Sequence, residues 1–169
     1  MDITGNGRTL DINEDRAALV DARSDFQKAS DKGYAFTWSM ETYDTVAADT
    51  ILAVRNDHST MKLHITTIEI LQDSTTEVEI HVPTAAYTSA GTSVVGACLN
   101  RSVNKTAEAT AHCKETGNTQ GTVVKRVGIK TDPITIDMTG LILGFDQAVG
   151  VDFVTGGDFC YMCITGYFK

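Results

Sequence analysis

A chain of 169 residues suits one domain and can bury a core without disulfides. The net charge of −8, with 42% hydrophobic and 21% charged residues, fits a soluble globular protein whose acidic surface repels nucleic-acid phosphates. Threonine occurs 24 times and leucine 8 times, a balance that favours strands, because β-branched side chains fit a pleated surface better than a helix.

The opening MDITGNGRTL has neither a basic n-region nor an apolar h-region, and no apolar run reaches the length of a membrane span, so synthesis and residence in a cytoplasm are expected unless a particle carries the protein out. Residues 1–15 are rich in Gly and Asp, without a clear period, and read as an extended arm. RAALVDA (16–22) is nearly continuously apolar, so its period does not separate strand from helix. Ser24 and Gln27 then have capping-box spacing, and Asp25 lies in the first turn, where a helix dipole favours negative charge. Phe26 and Ala29 share a face, and Gly33 stands where a C′ glycine stops a helix. The spacing predicts a helix over 25–32, too short to be stable unless Phe26 docks on something.

From Tyr34 the period switches to two. Tyr34, Phe36, Trp38 and Met40 share a heavy buried face, with Ala35, Thr37 and Ser39 on the other. Strands follow at 50–56, 61–72 and 76–82. The last places Val78, Ile80 and Val82 inward and Glu77, Glu79 and His81 outward, and Pro83 ends it. Asp73-Ser74 is the expected turn before it. Further strands are expected at 92–99, 106–115, 122–130, 134–144, 148–154 and 159–168, with TGGD (155–158) a hairpin signal before the last. Ala107, Ala109, Ala111 and Cys113 lie on one side of their strand, small residues that suggest close packing against another layer or another subunit. About ten strands without intervening helices exclude a βαβ fold. The expected fold is all-β: a jelly-roll-like β-sandwich of about 8–10 antiparallel strands, with an immunoglobulin-like sandwich as the alternative. Residues 1–32 form an N-terminal arm and short helix, and residues 33–169 the sandwich.

Few residues carry the signature of chemistry. Cys160 and Cys163 form a C-x-x-C within a strand, where an odd spacing points them to opposite faces and away from a shared metal. A zinc site would need a second ligand pair, and Cys98, His112 and Cys113 are the candidates, with the last two again on opposite faces. His58, His64, His81 and His112 form no H-x-H or H-x-x-x-H pattern and read as partly exposed strand histidines; His64 and His81, on neighbouring strands, could face each other. Glu77 and Glu79 share an outer face, which allows acid–base work or calcium binding but more commonly marks a solvated strand. No phosphate loop, EF-hand loop or nucleophile elbow is present in the sequence. The expectation is a non-enzymatic protein without catalytic residues, cofactor or metal. A cupin-like metal enzyme would need a histidine cluster with a carboxylate.

The stretch LDINEDRAALVDARSDFQKASDKGYAFTWS (10–39) resembles the opening of tailed-bacteriophage virion proteins of marine and cyanobacterial phages. In these, an N-E/D-D/N-R stretch leads through an apolar strand and a charged segment to an aromatic strand. GLILGFDQAVGVDFVTGG (140–157) looks like their closing strands, so the likeness covers about a third of the chain. The resemblance implies a capsid decoration (cement) protein, a homotrimer on the major capsid protein at the virion surface, assembled in the host cytoplasm, with no nucleic-acid or membrane partner. Its arm would order along a neighbour by strand addition. Arg16, Leu19, Val20, Arg23 and Phe26 would form the interface. The alternative is a tail- or neck-associated module that binds a receptor or carbohydrate.

Overall fold

The computed structural model describes residues 3–5, 8–12, 18–19, 23–42, 50–83, 91–115, 121–156 and 159–169, with backbone alone for 3–5, 8–12, 18–19 and 114–115. In chain order the elements are β1 (Ile3–Gly5), β2 (Arg8–Ile12), β3 (Ala18–Leu19), α1 (Asp25–Asp31), β4 (Ala35–Thr42), β5 (Thr50–Asn56), β6 (Leu63–Gln72) and β7 (Thr76–Val82). After these come β8 (Thr92–Ser93), β9 (Ala97–Cys98), β10 (Ala109–Glu115), β11 (Thr122–Ile129), β12 (Ile134–Leu143), β13 (Ala148–Phe153) and β14 (Cys160–Phe168).

The capping box forms as expected. The Ser24 hydroxyl accepts from the Gln27 backbone, and the Gln27 side chain accepts from the Ser24 backbone. Gly33, at φ +76°, closes the helix with a paired motif: its N–H donates to the Ser30 carbonyl at 2.9 Å, and the Tyr34 N–H donates to the Ala29 carbonyl at 2.8 Å. A side chain is strained at that φ, and a Cβ would also come within 2.8 Å of Val103. The chain therefore turns directly from α1 into β4.

Two antiparallel sheets face each other. One has the order β11-β7-β13-β5-β10-β8, the other β12-β6-β14-β4-β9. Eight of these strands pair as a nested set: β4 with β14, β5 with β13, β6 with β12, β7 with β11. Strands adjacent in this set lie in opposite sheets, except the innermost pair. That nesting is the jelly roll, and it replaces the immunoglobulin-like alternative, in which sequential hairpins dominate. The expected hairpin at 155–158 is not one, because β13 and β14 belong to different sheets. The 73–75 turn is likewise a corner between sheets. Between β7 and β11 the chain makes an excursion that adds β10 to the free edge of β5 and β9 to the free edge of β4.

The core lies between the sheets. Phe36, Trp38 and Met40 of β4 are buried there with Ile68 and Ile70 of β6, Val78 and Ile80 of β7, and Val151 and Phe153 of β13. The heavy face read from alternation is the inner face of β4. Ala111 and Cys113 are buried in the same core, with Ala107 and Ala109 packed against it, so those small residues serve the second layer of this chain. Gly96 explains one of them: a Cβ there would lie 2.5 Å from Trp38 Nε1 and 3.0 Å from Ala107. The β1–β3 strands pair with one another, Ile3 opposite Leu10 and Asp11 opposite Leu19, in a separate three-stranded sheet.

Candidate functional site

The alternation of β7 sends Val78 and Ile80 into the core and therefore Glu77, Glu79 and His81 to the outer face of the six-stranded sheet. On β13, Val151 and Phe153 point inward, so Asp152 points outward. Asp152 stands opposite Glu79, and Gly150 opposite His81. The three polar side chains converge. His81 Nε2 lies 2.8 Å from Asp152 Oδ1 and 3.5 Å from Glu79 Oε2. Arg126, opposite Glu79 on β11, pairs with Glu79 Oε1 and reaches Glu77 at 3.6 Å.

Burial makes this cluster unusual for an outer face. His81 is 4% exposed and Asp152 2%. The row across the sheet from His81 runs through Gly150 and Ala53 to His112, and Ala53, Ala148 and Gly150 are buried too. His81 Nδ1 is buried with no hydrogen-bond partner. A buried imidazole between two carboxylates needs a charge or a proton to hold it there. Glu79, His81 and Asp152 are also the residues able to hold a metal among the described ones, with donor atoms within 4.8 Å of one another.

The other sequence candidates separate. His64 lies on β6 in the opposite sheet, so it does not face His81; its ring stacks on Tyr167 at 4.9 Å. Burial, and then the charge of Lys169, holds the His64 pKa below its usual value. His81 is buried rather than partly exposed, and it meets Asp152 instead of another histidine. Cys160 points into the core, where burial and then the charge of Asp73 push its thiol up to about 12. Cys163 faces outward and lies 2.7 Å from the Thr37 hydroxyl, so the C-x-x-C does split across the sheet. All four cysteines are free and buried.

Of the expected interface residues, Arg16 and Val20 fall outside the described residues, and Leu19 is described only by its backbone in β3. Arg23 is exposed and pairs with Asp31 at 2.5 Å. Phe26 is half-buried and meets Tyr167 edge to face at 5.8 Å. It docks α1 on β14 of its own sandwich, so it serves this chain before any neighbour. Lys169 bonds Asp25 at 2.6 Å on the same helix, and that hydrogen bond and charge hold the Asp25 carboxyl below its usual range.

Asp152 is the residue that sequence reading missed. It is the one charge in AVGVDF, a strand otherwise apolar or glycine, and it sits 71 positions from His81. A lone carboxylate in such a strand was the available signal. No protein-family model, curated protein or solved structure matches the chain.

Proposed function

We propose that the protein is a non-enzymatic structural component of a tailed-phage virion, a decoration protein that binds the major capsid lattice as a homotrimer. The observation that carries this reading is the pairing of β1–β3. These strands form a sheet of their own and join neither sheet of the jelly roll among the described residues. An arm that adds no strand to the body is available to order along a neighbour. The likeness of residues 10–39 and 140–157 to phage virion proteins supports the same reading. Mass spectrometry of purified virions is the test. Many copies per particle are expected, and absence from the particle refutes the reading.

One exposed ring favours the second reading, a tail- or neck-associated module for receptor glycans. Tyr161 is 41% exposed on the outer face of the five-stranded sheet, beside a groove lined by Glu69, Leu71, Pro133 and Thr135. Sugars stack on such rings. Trp38, fully buried, is not available for that role. Binding to a host polysaccharide that disappears in Tyr161→Ala would move the assignment to this module.

A further inference from the structure

We propose that Glu79, His81 and Asp152 bind a first-row divalent cation, which staples β7 to β13 on the outer face of the six-stranded sheet. The geometry begins with one ring nitrogen facing two carboxylates. A single proton on His81 Nε2 satisfies Asp152 Oδ1 at 2.8 Å, but Glu79 Oε2, at 3.5 Å, is beyond a good hydrogen bond. Two donors bound to one zinc ion lie roughly 3.0–3.4 Å apart, since each bond is about 2.1 Å. The two observed separations bracket that range. The third closes by rotating the Glu79 carboxylate, because all three donors already lie within 4.8 Å.

Ligation through Nε2 puts the His81 proton on Nδ1, which is buried without a partner, so the ion must outweigh that unmet donor. One further feature suits an ion. Arg126 grips Glu79 by the other oxygen, Oε1, and so leaves Oε2 turned toward His81, as an outer group does for a ligating carboxylate. One imidazole and two carboxylates suit zinc or manganese better than calcium or a soft ion. The cysteines take no part: Cys160 is in the core and Cys163 in the opposite sheet.

The test uses the full chain, stripped with a chelator and dialysed, then titrated with zinc chloride and, separately, manganese(II) chloride. Bound metal is counted by elemental analysis, and melting is followed by circular dichroism. One equivalent should bind, and the melting temperature should rise with free metal, since the ion binds the folded state. His81→Gln and Glu79→Gln should each weaken binding by about tenfold or more. Glu79 sits at the rim, with 13% side-chain exposure, so its neutral isostere keeps the fold even if His81→Gln does not, and an unchanged near-ultraviolet spectrum verifies this. No bound equivalent at about millimolar metal overturns the proposal and leaves His81 paired with Asp152 alone. Wild-type affinity in a folded variant overturns it as well. So does a thiolate charge-transfer band with cobalt(II), which would place the ion on the cysteines.

Discussion

Gly166 presses against the backbone of His64: a Cβ at Gly166 would sit 2.7 Å from the His64 carbonyl oxygen. The contact falls where the pairing of β14 with β6 shifts register between Thr165 and Gly166, in the middle of the five-stranded sheet. Gly166→Ala must push two paired strands apart, and it should cost about 1–3 kcal/mol. Gly128, on the edge strand β11, has open space where its Cβ would be. Gly128→Ala should be neutral or slightly stabilising, because alanine narrows the unfolded ensemble. Urea denaturation of both variants checks the contrast, and equal losses would refute it.

Asn56 is fully buried at the end of β5 and ties three segments together. Its amide donates to the carbonyls of Met61 and Leu143, each at 3.0 Å, and its oxygen accepts from the His58 N–H at 2.9 Å. Asn56→Ala removes three bonds, the one to the Leu143 carbonyl fully buried, a loss of about 2–4 kcal/mol. Chemical denaturation measures it. A loss below about 1 kcal/mol would mean that water replaces the amide.

The stack of His64 on Tyr167 predicts a pH dependence. Burial lowers the folded-state pKa of His64, so the unfolded chain binds its proton more readily. Stability from this group is therefore complete above the unfolded value of about 6.5 and is lost as pH falls through the lower folded value. His64→Phe keeps a ring on Tyr167 without the titration. Its melting temperature should fall less than that of the wild type between about pH 7 and pH 5. Parallel profiles would remove His64 as the cause.

Cys160 should behave as a hydrocarbon. Burial and the charge of Asp73 raise its pKa to about 12, so almost no thiolate exists at neutral pH. A thiol reagent should label Cys160 only after denaturant unfolds the chain, as peptide mapping will show. Labelling of the native protein at Cys160 would require local opening of β14.

Local rules made much of this legible. Ser24, Gln27 and Gly33 define a helix through contacts within a few residues, so their spacing was enough to find α1. The alternation Tyr34, Phe36, Trp38, Met40 gave the core face of β4 for the same reason. Pairing partners were not legible, because they depend on how distant strands close. The turn residues Asp73-Ser74 and the 155–158 stretch look like hairpin signals, yet both join strands of opposite sheets. The cluster failed to show for that reason too. His81 and Asp152 meet only because β13 lies beside β7, and the burial of the outer face leaves no periodic mark. Phe26 was expected to dock the short helix, and it does so against Tyr167 of β14, although it stays half-buried.

The central place of β14 bears on how the molecule is made. β14 lies between β4 and β6, so its sheet is two unconnected halves until residues 160–168 arrive. β4, more than a hundred residues earlier, waits on the ribosome with one backbone edge unpaired. Folding must therefore finish after this stretch is translated, and it pays late for contacts of long sequence separation. A chain halted before residue 160 holds the strands of the six-stranded sheet but leaves β4 and β6 each with an unpaired edge, and should be handed to chaperones or proteases.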